Sequence, residues 1–317
     1  MDDIWIEDET GLTAFDLVVK RGKVEDVEEF IRLLENTAGR GKAFEVGRHF
    51  SLLVCQKARP SYGFCLKRGW ECNGKDNAGA TLLDRVIEYE FLEGVEVLLQ
   101  KRLFDIKVQN SPTGDTVLHY ARSAEAVKLL LNAGATIDGK NKDGQTPLFW
   151  AAYLGCTGVV EELLNSTPKP DVKTQDAEGS NILHVAFDRP DIMALMVKHG
   201  VDLNALNNGG RTPLGMASWW NDVEGVKFLL GAGANPNGAR AVEISPLFTA
   251  IRLSNTSEIF RLLVKNGAEL LAQDSRGITA LRVAVEYDKR YEAKCIAKKM
   301  KDRYAEKARD IYASVLH

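Results

Sequence analysis

Residues 143–155 read DGQTPLFWAAYLG, and residues 209–220 read GGRTPLGMASWW. In both, a Thr-Pro-Leu step follows a glycine and opens an apolar stretch. A Thr oxygen at that place can accept from a backbone N–H that has no partner at a helix start. Pro147 and Pro213 suit a first helical turn, where the missing N–H is not needed. Leu148 and Leu214 then read as core residues, and Ala151, Ala152 and Ala217 let neighbouring helices approach. The same phrase recurs with changes at 114–121, GDTVLHYA, and at Ser245-Pro246-Leu247. Downstream come second apolar stretches that end at a glycine: LLLNAGA (129–135), LMVKHGV (195–201), FLLGAGA (228–234) and LLVKNGA (262–268). Gly134, Gly200, Gly233 and Gly267 stand where a helix stops in a left-handed conformation.

Aligned on the Thr position, the repeats start at Thr13, Thr81, Thr116, Thr146, Asn181, Thr212, Ser245 and Thr279. From Thr81 onward these anchors follow one another at nearly equal steps, the mark of one supersecondary unit repeated. The interval between Thr13 and Thr81 is close to two such steps. It leaves room for a degenerate unit, whose end survives as CLKRGWECNGKD (65–76). Each unit buries its apolar face only by stacking on the next. Nine units are expected, seven of them clear.

The phrase G-x-T-P-L-H-x-A followed by L-L-x-x-G-A resembles the ankyrin repeat over about residues 8–290. The resemblance implies an all-α ankyrin-repeat solenoid of stacked helix-turn-helix units with short β-hairpin loops and a C-terminal capping helix. It divides the chain into an N-terminal capping unit with an acidic start (1–36), a degenerate repeat (37–76), the main repeats (77–290) and a basic amphipathic helix (291–317). Two units depart from the pattern. Those starting at Thr116 and Asn181 have shortened first helices, the second interrupted at Arg189-Pro190. In the last segment Met300, Tyr304, Ala308, Ile311 and Val315 recur at helical steps. This helix either seals the last repeat or binds a partner.

Composition restricts the functional classes. The 317 residues are 45% hydrophobic and 27% charged with a formal net charge of −3, so no overall basic signature marks a nucleic-acid binder. Charge is nonetheless uneven: residues 1–10 carry five acids and no base, and residues 289–310 carry nine bases against four acids. The five cysteines (55, 65, 72, 156, 295) are odd in number and form no CxxC pair. That favours free thiols in a reducing compartment, hence cytoplasm or nucleus. No stretch of about 18 apolar residues predicts a membrane span. No phosphate loop, H-E-x-x-H or G-x-S-x-G motif occurs, so the sequence offers no candidate catalytic, cofactor-binding or metal-ligating residue and a catalytic role is unsupported. His119 and His184 occupy the His of the repeat phrase, where the resemblance implies a ring bridging two loops.

The resemblance also implies where a partner would touch: the loop tips before the Thr-Pro-Leu step and the exposed end of each first helix, in a concave groove. The tips offer Lys142, Asp143, Gln145 and Arg211. Seven and eight positions past the anchors stand Tyr89, Tyr153, Leu154, Arg189, Trp219, Trp220, Arg252 and Tyr287. Large aromatics at positions that tolerate polar residues are what binding hot spots look like. Trp219 and Trp220 have a competing role, filling the space left by the shortened preceding helix. A monomeric protein-binding scaffold or adaptor is the expectation, with a small-molecule binder or unconventional enzyme around Trp219 and Trp220 as the alternative.

Overall fold

A computed structural model describes residues 81–315, apart from 89, 91, 93–94, 97–98, 100–104, 110–111, 239–244, 254–256 and 274–276. The capping unit, the degenerate repeat and Tyr89 lie outside the described residues. The helices come in pairs. They are α1 (Leu82–Glu88), α2 (Ala124–Asn132), α3 (Pro147–Leu154), α4 (Thr157–Asn165), α5 (Ile182–Val185), α6 (Pro190–Lys198), α7 (Pro213–Trp219), α8 (Val223–Gly231), α9 (Pro246–Leu253), α10 (Glu258–Lys265), α11 (Ala280–Glu286) and α12 (Arg290–Val315). Before α2, the first helix of its repeat is one 3-10 turn, Val117–Tyr120. Contacts group the chain into two compact units, Met1–Ala151 with Gly158–Pro170, and Ala152–Thr157 with Asp171–His317.

The repeat phrase does locally what its chemistry dictates. The amides of Phe149, Gly215 and Arg282 donate to the hydroxyls of Thr146, Thr212 and Thr279 at 3.3, 3.1 and 3.3 Å, and Phe248 N–H donates to Ser245 Oγ at 3.3 Å. Pro147, Pro213 and Pro246 open their helices. Leu148 and Leu214 are fully buried, as are Ala152, Ala217 and Ala284 between helices. The expected hairpins are simpler than strands. In the loops before Thr146 and Thr212, Asn141 N–H donates to Gln145 O and Asn207 N–H to Arg211 O, each at 3.0 Å. One backbone bond closes a tight turn but builds no ladder. Among the described residues β structure is confined to isolated bridges, such as Gln273 to Thr279.

In the second unit the first helices α5, α7, α9 and α11 pack one on the next, and the second helices α6, α8 and α10 do likewise. Loops follow the same order. Asn208 N–H donates to Glu178 O, Asn235 N–H to Asn204 Oδ1 and Glu269 N–H to Asn237 Oδ1, at 2.7–2.8 Å. Lys227 ties the second helices together on the outside, 2.8 Å from Glu224 and 3.2 Å from Glu258.

Two histidines bridge loops. Thr116 N–H donates to His119 Nδ1 at 3.0 Å, and Nε2 lies 3.1 Å from Gln145 O. His184 repeats this with Asn181 N–H at 3.1 Å and Arg211 O at 3.0 Å. A nitrogen that accepts from an amide and another that donates to a carbonyl require the neutral ring protonated on Nε2. Burial lowers the pKa of both rings below the ordinary 6.5, against the raising pull of those carbonyls and nearby Asp115 or Asp176.

Gly233 ends α8 with φ of 93°, and a Cβ placed on it would meet nothing within 4 Å. Any penalty there is backbone strain and not collision. Gly233→Val is therefore expected to cost about 1–3 kcal/mol, and Leu229→Ala, a fully buried truncation on the same helix, about 2–5 kcal/mol. Urea unfolding of both variants measures this, and wild-type midpoints would contradict the register of this repeat. A second expectation concerns pH. The unfolded chain takes up a proton at each of these histidines near pH 6.5, while the folded rings resist it, so stability is full above that value and falls as pH drops through it. Urea midpoints should fall between pH 7.5 and 5.5, and this slope should shrink in His184→Gln.

Candidate functional site

What fixes the surface is how each first helix ends. Gly155, Asp188, Asn221 and Asp288 have φ of 77, 51, 56 and 49°, one left-handed residue after each first helix in the second unit for which the junction is described. Asp and Asn tolerate this conformation because their short polar side chains bond locally. Separately, the backbone N–H of Asp188 donates to Asp222 Oδ2 of the next repeat at 2.9 Å, tying this turn to its neighbour. The residue just before this turn is thereby held at the helix end in every repeat. It is Leu154, Phe187, Trp220 and Tyr287, and Leu253, the last residue of α9, stands at the matching step, so that the five are almost evenly spaced along the chain. All five belong to the second unit and all are apolar or aromatic.

This geometry corrects one sequence expectation. Counting from Asn181 placed Asp188 and Arg189 at the surface positions. Helix α5 is a single turn, Ile182–Val185, so the turn residue arrives early. Phe187 is the counterpart of Trp220, and Arg189 is the N-cap of α6, with Pro190 opening that helix and not breaking the previous one. The Arg189 side chain lies over Gly155, where an added Cβ would collide with its Nε. The one signal for Phe187 in the sequence was the deletion itself, read with the even spacing of the repeats.

Trp219 and Trp220 are 42% and 59% exposed, Leu253 43%, Tyr287 47% and Tyr153 52%. Leu154, Phe187, Arg189, Arg211 and Arg252 are half-buried. Trp220 rests on Phe187 with ring centroids 5.6 Å apart and planes tilted by 51°. The Arg211 guanidinium stacks over the Trp219 ring at 4.4 Å, a cation–π contact that holds the ring in place. Both tryptophans thus have one face supported and another open to solvent. Space filling accounts for the supported face alone.

The loop tip of the first unit is engaged differently. Gln145 is half-buried, with its carbonyl shared by Asn141 and His119 and its Oε1 3.4 Å from Asn141 Nδ2. Lys142 N–H donates to Thr113 O at 2.8 Å, while the Lys142 and Asp143 side chains are exposed. Gln145 serves its own loop, and Lys142 and Asp143 remain at the surface. Among the described residues no group of three or more His, Cys, Asp or Glu is arranged to hold a metal ion. No helix among them is long and apolar enough to cross a membrane.

Helix pairs capped by Thr or Ser and stacked one on the next define a helical repeat protein. A family model described as ankyrin repeats (3 copies) matches residues 83–176 and 168–240. The chain belongs to the ankyrin-repeat family. Ankyrin repeats as a class mediate protein–protein interactions. The ankyrin repeat domain of Bcl-3, a member of the IkappaB protein family, superposes with a TM-score of 0.57 at 27% identity, over 66% of this chain and 95% of that one. The human ASB11 ankyrin repeat domain gives 0.57 at 26%, over 65% and 92%. Neurogenic locus notch homolog protein 1 of Mus musculus is 34% identical over 148 residues, 45% of this chain but 6% of that protein's length.

Proposed function

We propose that the chain is a non-catalytic scaffold or adaptor that holds a protein partner along the first-helix ends of the second unit. The observation that carries this reading is the apolar row of Leu154, Phe187, Trp220, Leu253 and Tyr287, with Trp219 and Tyr153 beside it. Apolar and aromatic area left open to solvent at one recurring position, beyond what the contacts with Phe187 and Arg211 cover, is what an interaction surface presents. Tyr and Trp give large contact area for little lost rotamer freedom. The stacking of Phe187 under Trp220 and of Arg211 over Trp219 reduces that loss further, because the rings are held before binding.

The charges that flank the row in sequence are mixed, Asp188 and Arg189 after Phe187, Arg252 before Leu253, and Glu286 and Asp288 on either side of Tyr287, which suits a protein surface better than a nucleic acid. Half-exposed rings also suit side chains of a protein better than a small ligand, which is held by burying most of its area. Free thiols at Cys156 and Cys295 support a reducing location, cytoplasm or nucleus, for a monomer.

Trp220→Ala and Trp219→Ala are each expected to weaken the partner by about 2 kcal/mol or more, with a smaller change in melting temperature than Leu229→Ala. Affinity and melting measured on each single variant separate binding from space filling. Unchanged affinity in folded variants would remove the basis of this reading.

A further inference from the structure

The C-terminal helix is built unlike the other second helices among the described residues. The second helices α6, α8 and α10 span eight or nine residues, while α12 runs for 26. At 1.5 Å per residue that is about 39 Å, against about 10 Å for α11, on which it packs. Its first turns are anchored: Glu292 and Ile296 are buried, and Tyr291 meets Phe260 edge-on with centroids 6.3 Å apart. Beyond Ile296 the described side chains are exposed except for half-buried Met300, and Tyr304 is 68% exposed.

At this place the second unit has a cavity of about 300 Å³. Its apolar lining comes from three elements: Leu270 and Leu271 of the loop after α10, Leu281 of α11, and Ile296, Met300 and Tyr304 of α12. Ile296, Met300 and Tyr304 are four positions apart and share one helix face, since successive residues turn by about 100°. Arg303 lies on the edge of that face and reaches the cavity. Lys299 and Lys301 stand about 100° to either side, with Glu306 and Asp302 further round. From 294 to 303 the exposed charges are Lys294, Lys298, Lys299, Lys301 and Arg303 against Asp302 alone.

We infer that this groove docks an acidic amphipathic helix of a partner protein. Its floor is mainly apolar, interrupted by Gln273 and Thr279, its basic edge is Arg303 with Lys299 and Lys301 to either side on α12, and it has room along that helix. Helix-in-groove recognition uses such a site, with apolar anchors at i, i+3 or i+4 and i+7 entering the floor while charges pair at the edge. A second copy of the same helix would bring like charge to the rim. A flat anionic lipid surface would meet the bases but leave the recessed Leu270, Leu281 and Met300 unfilled. The groove shares no residue with the row of first-helix ends, so the inference goes beyond the function proposed for that row, and either can fail alone.

The test is fluorescence anisotropy on the full chain. The probe is a labelled peptide of glutamates with leucines at alternating third and fourth places, and the control is its scrambled isomer. The patterned peptide should bind about tenfold or more tightly than the scrambled one. Tyr304→Ala and Arg303→Glu should each cost about tenfold, whereas Lys298→Glu, on the opposite side of the helix, should change affinity by about twofold or less. Melting curves confirm that the variants are folded, which the exposure of both side chains favours. Equal affinity for the two peptides, or unchanged affinity in folded Tyr304→Ala and Arg303→Glu, would overturn the proposal. So would failure of the patterned peptide alongside binding of phosphatidylserine vesicles or poly(U) that the same variants abolish.

Discussion

The close packing of one short first helix against the next is the constraint on which residues 171–315 depend. Helices of four to eight residues are far below the length at which an isolated helix holds in water. They persist because Leu183, Leu214, Leu247 and Val283 are buried against neighbours and because Ala217, Ala250 and Ala284 keep those neighbours near. No repeat has a core of its own. Local capping by Thr212 or Thr279 starts a helix, but stacking makes it stable. His184 and the loop amides then fix the spacing, since each bond runs from one repeat to the next.

The same constraint decides which residues are left outside. A helix that must fit between two others can present only its ends. A left-handed residue at each end, Asp188, Asn221 or Asp288, turns the chain sharply into the second helix. The residue before it is left at the rim of the stack, half-buried at Phe187 and exposed at Trp220 and Tyr287. Polar side chains would be compatible with that place, yet Phe187, Trp220, Leu253 and Tyr287 occupy it. Frame and surface are thus separable: the caps, glycines and alanines make the stack, and the outward row is free to specify a partner.

The stack was legible in the sequence because its devices are local. Thr-Pro-Leu caps and Gly-Ala stops each act within a few positions of themselves and recur at a nearly constant period, so Pro147, Leu214 and Gly233 could be placed without coordinates. The surface was legible only in part. Trp219, Trp220 and Tyr287 follow from counting along an unshortened helix. Phe187 and Arg189 do not, because the shortening of α5 is absorbed by the turn and shifts the residues that follow it. The stacking of Arg211 on Trp219 was also invisible, since it depends on how a loop tip folds over the following helix end. The length of α12 was visible as a periodic pattern, but that its packing stops after Ile296 was not.

The central claim, that the first-helix ends of the second unit are the partner-binding surface, is tested most directly by hydroxyl-radical footprinting of the protein with and without a partner purified alongside it. The account predicts that oxidation of Trp219, Trp220 and Tyr287 slows in the complex while exposed side chains of α6, α8 and α10 react as before. Unchanged oxidation of those three aromatics in the complex, with protection on the second helices, would contradict it.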